Sequence, residues 1–175
     1  MNSTASAHRA SVSRRVHAPE TGEFEVGVLL AEIATEVGAT LGPDTSLDII
    51  VTPAALRLHC SRERLRDAVI QLIANAREAL PRGGTISVAV APHHHGPQAV
   101  ELRIVDDGIG MARDTLQRAV EPFFTTKSTG LGGLGLTIVG HFADEIGGNF
   151  DLHSELGVGT RATLLVPLSS SSREP

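Results

Sequence analysis

The chain has 175 residues, of which 41% are hydrophobic and 20% are charged, and this length suits one domain with its own core. Its formal net charge is −5, and it contains five Phe but no Trp or Tyr, so it lacks both the basic surface and the stacking side chains of a nucleic-acid-binding protein. A single cysteine, Cys60, excludes an internal disulfide, and no apolar run approaches the roughly 20 residues of a membrane span, so we expect a cytoplasmic location.

Composition marks both ends of the chain. Residues 1–20 are rich in Ser, Ala, Arg and His without periodic apolar spacing, and residues 169–175 read SSSSREP. Segments of this kind do not bury enough apolar surface to fold. We therefore predict a flexible N-terminal tail, a folded unit over 21–168 and a flexible C-terminal tail.

Helices and strands alternate within this unit. EVGVLLAEIATEVGATL has helical spacing, and SLDIIV and LRLHC are typical of short strands. A second helix is predicted from an N-cap at Ser61 to Leu80, where Pro81 begins a breaker sequence. TISVAVAP and AVELRIVD flank a hairpin loop, a third helix runs from near Leu134 to Gly147, and NFDLHS and GTRATLLVPL form a closing hairpin. The pattern predicts an α+β fold whose mixed sheet carries helices on one face.

The second helix has two kinds of surface. At about 100° per residue its apolar side chains share one arc that must face the sheet: Leu65, Ala68, Val69, Leu72, Ile73, Ala76 and Leu80. Asp67, Gln71, Asn75 and Glu78 line one polar stripe at the margin of that arc. Such a stripe is either part of a site or a solvated helix face, and spacing leaves both open.

The stretch VDDGIGMA places a carboxylate at the end of a strand. Val100, Leu102 and Ile104 share one strand face, and Asp106 continues it. A buried carboxylate needs hydrogen-bond donors, and Gly108 and Gly110 allow a ligand or backbone to approach closely. The alternative is that Asp106 or Asp107 merely caps a turn.

A glycine-rich segment, KSTGLGGLGLTIVG, precedes the third helix. Glycines at 130, 132, 133 and 135 expose backbone N–H groups beside a helix N-terminus, and Lys127 adds positive charge. Both features favour phosphate. The segment matches neither the P-loop nor the Rossmann pattern, and a flexible loop without a ligand is the alternative.

In this order the motifs resemble the ATP-binding catalytic domain of sensor histidine kinases, within the superfamily that includes DNA gyrase and the heat-shock chaperone ATPases. LRDAVIQLIANAREAL is similar to the N box, VDDGIGM to the first glycine box, EPFFTTK to the F box, GLGGLGL to the second glycine box and GVGTRATLLVPL to the closing strand motif. The resemblance spans about residues 24–168. It implies a two-layer α/β sandwich of the Bergerat type, with a mixed, mostly antiparallel sheet.

The resemblance also implies roles for matched residues. Asn75 would coordinate Mg²⁺ bound to ATP, Asp106 would accept the adenine amino group, and Lys127 would reach phosphate. The remaining implied nucleotide-binding positions are Ala79, Gly108, Gly110, Met111, Gly130, Gly132, Gly133, Leu134, Gly135 and Thr160. ATP and Mg²⁺ are the expected cofactors, and the expected reaction transfers the γ-phosphoryl group to a histidine, with no nucleophile in this chain.

Three departures from the family pattern qualify that expectation. Gln71 stands where the gyrase-like branch carries a water-activating Glu, and Gln is not a general base. The second glycine box lacks the usual Thr, so an altered lid is expected. The chain also offers no acceptor helix, since His8 and His17 lie in the tail.

We therefore expect either an excised catalytic domain or a small stand-alone protein, monomeric by itself. It would act on a histidine-containing dimerisation domain in the parent chain or in trans, with a response regulator downstream. Two alternatives stay open: a degenerate nucleotide-binding or protein-interaction module, and a stand-alone anti-sigma-like serine kinase. His93, His94 and His95 are interpreted as a solvated hairpin loop rather than a metal site.

Overall fold

The computed structural model describes residues 20–53, 56–96, 98–119, 121 and 134–168. The predicted tails therefore lie outside the described residues, apart from Glu20. So do most of EPFFTTK and the glycines at 130, 132 and 133.

The described residues form seven strands and four helices. In chain order they are β1 (Thr21–Glu25), α1 (Val26–Leu41), β2 (Thr45–Val51), β3 (Arg57–Ser61), α2 (Arg62–Glu78), β4 (Gly84–His93), β5 (Ala99–Asp106), α3 (Arg113–Arg118), α4 (Gly135–Glu145), β6 (Asn149–Glu155) and β7 (Gly159–Pro167).

Five strands form the main sheet, in the order β2-β4-β5-β7-β6. All its neighbouring pairs are antiparallel except β2 and β4, which run parallel. The inward side chains of these strands pack with α1, α2 and α4 in one core. The predicted α+β fold, with a mixed, mostly antiparallel sheet and helices on one face, is confirmed.

Helix α2 lies across the middle of this layer, and its predicted apolar arc is buried throughout. It begins after Ser61, whose Oγ accepts the Arg64 N–H at 3.4 Å, as predicted for an N-cap. Because the arc faces the sheet, the polar side chains at its margin reach the sheet end at which β5 stops. The fold thus brings two of the sequence motifs together.

Two elements were not predicted. Strand β1 pairs with β3 in a separate two-stranded sheet, so LRLHC is a strand but does not join the main sheet. Helix α3 has no buried residue and hence no periodic apolar pattern to reveal it. Both depend on tertiary contacts rather than on local pattern.

Candidate functional site

A cavity of about 450 Å³ opens at the end of the sheet, between α2, the end of β5 and the N-terminus of α4. Sites for small molecules have volumes of roughly 300–1,000 Å³. The predicted site residues that line this cavity are Asn75, Ala79, Asp106, Gly110, Met111, Leu134, Gly135 and Thr160. Residues from four separate motifs thus share one cavity.

Asp106 is the last residue of β5 and is only 6% exposed. It shares the inner face with the buried Leu102 and Ile104, as strand alternation predicts. Its Oδ1 accepts the Gly108 N–H at 3.0 Å. Burial raises the pKa of Asp106, backbone N–H groups of Gly108 and Thr160 lower it, and the charge of Asp107 raises it. The carboxyl is therefore held at the cavity wall at an electrostatic cost.

Asp107 has a different environment on the opposite face of the strand. It is exposed, and its Oδ1 accepts the Thr85 N–H at 2.8 Å. This bond ties the end of β5 to β4. The Asp107 side chain thus links two strands, whereas Asp106 both closes its turn and lines the cavity.

The two glycines after Asp107 are required by backbone packing. A Cβ on Gly108 would lie 2.3 Å from the Ala79 carbonyl oxygen, and one on Gly110 would lie 2.0 Å from the Glu155 carbonyl oxygen. Gly110 also has φ +61°, which favours glycine. The loop is therefore clamped between the end of α2 and the β6–β7 turn, and only Gly110 of the pair lines the cavity.

The predicted polar stripe of α2 reaches the cavity in part. Gln71, Asn75 and Glu78 line it, whereas Asp67 has an exposed side chain beside Arg66. The Asn75 Nδ2 is buried and has no hydrogen-bond partner among the described residues. A buried amide nitrogen without an acceptor is costly, so this group is suited to an acceptor supplied by a ligand.

The N-terminus of α4 faces this amide. A Cβ on Gly135, the first residue of α4, would lie 2.9 Å from Gln71 Oε1 and 3.5 Å from Asn75 Nδ2. Leu134, at the N-cap position, makes no side-chain capping bond. The first N–H groups of a helix attract anions. The cavity wall therefore contains both a carboxylate and an anion-attracting helix terminus.

A further side chain, Ser154 of β6, was missed by the sequence analysis. Its Oγ lies 2.8 Å from the Met111 backbone nitrogen, 2.9 Å from the Gly159 carbonyl oxygen and 2.9 Å from Thr160 Oγ1. Ser154 thus links two residues that line the cavity, Met111 and Thr160. Only the strand register of β6 against β7 could have pointed to it.

A family profile described as "Histidine kinase-, DNA gyrase B-, and HSP90-like ATPase" matches residues 60–170, which include every element that forms the cavity. The chain belongs to this family. The resemblance to the catalytic and ATP-binding domain of histidine kinases is confirmed.

Named relatives of this ATPase-family domain agree with that placement. A sensor histidine kinase, ZraS of Klebsiella oxytoca, is 33% identical over 74% of this chain and 27% of its own length. The catalytic domain of the histidine kinase ThkA in a nucleotide-free form superposes with a TM-score of 0.75 at 24% identity, over 85% of this chain and 95% of that domain. Full-length ShkA in complex with AMPPNP superposes with a TM-score of 0.71 at 23% identity, over 86% of this chain and 31% of ShkA.

This chain therefore covers only 27% of the length of ZraS, the curated kinase that it resembles. In the part of the chain that the structure describes, no helix is long and apolar enough to cross a membrane. Four predicted phosphate contacts of the family, Lys127, Gly130, Gly132 and Gly133, fall outside the described residues.

The histidine run begins at the end of the β4–β5 pair that is remote from Asp106, since His93 pairs with Ala99 and Ile86 pairs with Asp106. His93 is the last residue of β4 rather than a loop residue, and its Nδ1 lies 3.4 Å from Glu101 Oε2. His94 and His95 are exposed. Among residues 20–168 that are described, no three His, Cys, Asp or Glu side chains group as a metal site would require.

Proposed function

We propose that this domain binds Mg·ATP in the cavity and donates the γ-phosphoryl group to a histidine on a separate dimerisation domain. The observation that carries the proposal is that Asp106 and the α4 N-terminus both line one cavity of about 450 Å³. An acceptor suits the adenine amino group, and a helix N-terminus suits a triphosphate. The AMPPNP complex of ShkA is consistent with this assignment.

The described residues also fit a magnesium ion. Mg²⁺ is usually held by one or two protein oxygens together with phosphate oxygens and water. The Asn75 amide can supply Oδ1 to the ion, while its unpartnered Nδ2 can donate to a phosphate oxygen. When bound, the ion would neutralise charge on the phosphates.

The chain's own contribution to transfer is positioning. Asp106 holds the base, and Asn75 and the first turn of α4 hold the phosphates, so that the γ-phosphorus is directed toward the acceptor. The imidazole nitrogen forms the new P–N bond as the bond to the β,γ-bridging oxygen breaks. ADP leaves, and the imidazole ring loses a proton to solvent. We propose that Lys127 and the glycines at 130, 132 and 133 cover the phosphates.

The proposed setting is two-component signalling in the cytoplasm, with a response regulator receiving the phosphoryl group. No part of this mechanism requires a nucleophile in the chain. The acceptor is a histidine supplied by another domain of the same protein or by a partner.

Calorimetric titration followed by a labelling assay tests the proposal. We expect one Mg·ATP to bind per chain, and γ-labelled ATP to give acid-labile label on a histidine-kinase dimerisation domain added in trans. Absence of binding would favour a degenerate interaction module, and acid-stable label on a protein substrate would favour a serine kinase. Either result would overturn the proposal.

Gln71 provides a second test of the same site. It lines the cavity beside Gly135 and has no basic group, so we expect slow ATP hydrolysis. Gln71→Glu places a carboxylate there and is expected to raise steady-state ATP hydrolysis at least about tenfold, because a general base contributes ~10²–10⁴ in rate. Gln71→Asn, which keeps an amide, is the matched control. Equal rates for both variants would contradict the placement of Gln71 near the γ-phosphate.

A further inference from the structure

The Ser154 hydroxyl has three polar neighbours and a limited number of hydrogen bonds to make. A serine hydroxyl donates one bond and accepts two. Its neighbours are the Met111 backbone nitrogen at 2.8 Å, the Gly159 carbonyl oxygen at 2.9 Å and Thr160 Oγ1 at 2.9 Å. All three lie within good hydrogen-bonding distance.

Two of these bonds have only one possible direction. The Met111 N–H can only donate, so Ser154 Oγ accepts there. The Gly159 carbonyl can only accept, so the single hydroxyl proton of Ser154 is used in that bond. The third bond must then be donated by Thr160 Oγ1 to the remaining lone pair of Ser154.

This count determines what Thr160 offers to the cavity. Thr160 lies directly opposite Asp106 in the β5–β7 register and lines the cavity. Because its only hydroxyl proton is held by Ser154, Thr160 Oγ1 presents lone pairs and no donor. Asp106 is likewise an acceptor when ionised. Two adjacent side chains in the cavity wall, Asp106 and Thr160, therefore offer hydrogen-bond acceptors to a ligand.

We propose that Ser154 is a positioning residue for base selection: it fixes the Thr160 hydroxyl as an acceptor and so favours a 6-amino purine over a 6-oxo purine. The inference rests on the proposed nucleotide site. Adenine presents an amino donor at position 6, whereas hypoxanthine presents a carbonyl acceptor there and would face lone pairs. A site whose buried acceptors lack donors discriminates strongly.

The position of Ser154 supports an indirect role. Ser154 lines a neighbouring groove with Thr160, whereas the cavity itself is lined by Thr160 and Met111. Ser154 thus lies behind the cavity wall and acts on the nucleotide through those two residues. It is half-buried, on the same face of β6 as Leu152.

The test compares ATP and inosine triphosphate, each with Mg²⁺, on the full chain. In Ser154→Ala the Thr160 hydroxyl regains a free proton, and we expect the ratio of ATP to inosine triphosphate affinity to fall about tenfold. Ser154→Thr keeps the hydroxyl and is expected to preserve the ratio. An equal loss of both affinities in Ser154→Ala would show a merely structural role and overturn the inference.

A second variant keeps the inference testable if Ser154→Ala does not fold. Thr160→Val removes the acceptor while leaving Ser154 in place, and it should lower the same ratio by about the same factor. An unchanged ratio in Thr160→Val would overturn the inference. If the unmodified chain bound neither nucleotide, the proposed function itself would fail, and that result is distinguishable from a change in the ratio.

Discussion

Asp106→Asn is expected to lower Mg·ATP affinity on the order of 100-fold while leaving the unliganded domain at least as stable near neutral pH. The carboxylate is 6% exposed and lines the cavity. The proposed hydrogen bond from the adenine amino group to this charged acceptor would contribute about 1.5–3 kcal/mol. Asparagine keeps one acceptor oxygen for the Gly108 N–H but brings an amide donor into the site. Calorimetry with Mg·ATP measures the loss.

The pH dependence of folding should change in a defined direction. Burial raises the pKa of Asp106 above its usual value of 3.8, so folding favours the protonated carboxyl. That contribution to stability is complete below about pH 3.8 and is lost as the pH rises through the folded-state pKa. Asn does not titrate. The free energy of unfolding of the variant should therefore rise, relative to the unmodified chain, as the pH increases above about 3.8.

Asp107→Asn is the matched control for the affinity measurement. Its carboxylate is exposed and bonds to the Thr85 backbone rather than lining the main cavity. We expect nearly unchanged Mg·ATP affinity in this variant. Equal affinity losses in the two variants, or normal Mg·ATP binding by Asp106→Asn, would contradict the proposed role of Asp106 in base recognition.

Gly110→Ala is expected to destabilise the fold by about 3 kcal/mol or more, which is a large part of the stability of a typical domain. The added Cβ would lie 2.0 Å from the Glu155 carbonyl oxygen, and φ is +61°. Left-handed backbone alone costs an L-residue roughly 1–2 kcal/mol, and the clash adds to it. Urea unfolding at equilibrium measures the difference.

Gly157→Ala separates the cost of backbone strain from the cost of the steric clash. Gly157 also has a positive φ, +81°, but no atom lies within 4 Å of its added Cβ. We expect a loss of about 1 kcal/mol, from backbone strain alone. If Gly110→Ala lowered the free energy of unfolding no more than Gly157→Ala does, the first glycine box would not pack as closely against the β6–β7 turn as described.

The parts of the site that follow a helical or strand periodicity can be predicted from the sequence. Alternation in β5 placed Asp106 on the buried face, and helical spacing placed Gln71 and Asn75 at the margin of the core; both are confirmed. Asp67 has the same spacing but does not line the cavity, because it lies about one turn closer to the N-terminus of α2 than Gln71. Periodicity gives the face of an element and not how far a site extends along it.

The role of Ser154 could not be predicted from the local sequence pattern of β6. Within NFDLHSE it is one inward position of an alternating strand, and nothing in its neighbours signals a polar role. Its importance comes from β7, where Gly159 and Thr160 meet it after the chain has turned back. Strand β1 was missed for a similar reason, since TGEFE has weak strand propensity and is held by its pairing with β3.

Both backbone polar groups of Ile109 form hydrogen bonds to other segments of the chain. Its N–H donates to the Ala79 carbonyl at 2.8 Å, and its carbonyl accepts the Gly157 N–H at 2.7 Å. A loop fixed in this way loses little conformational entropy when a ligand binds, so the proposed base-binding part of the cavity would act as a preformed template. In the proposed site, rigid groups would then select the purine, and we expect the base of ADP to be recognised as well as the base of ATP. Discrimination between the two must come from the phosphate end.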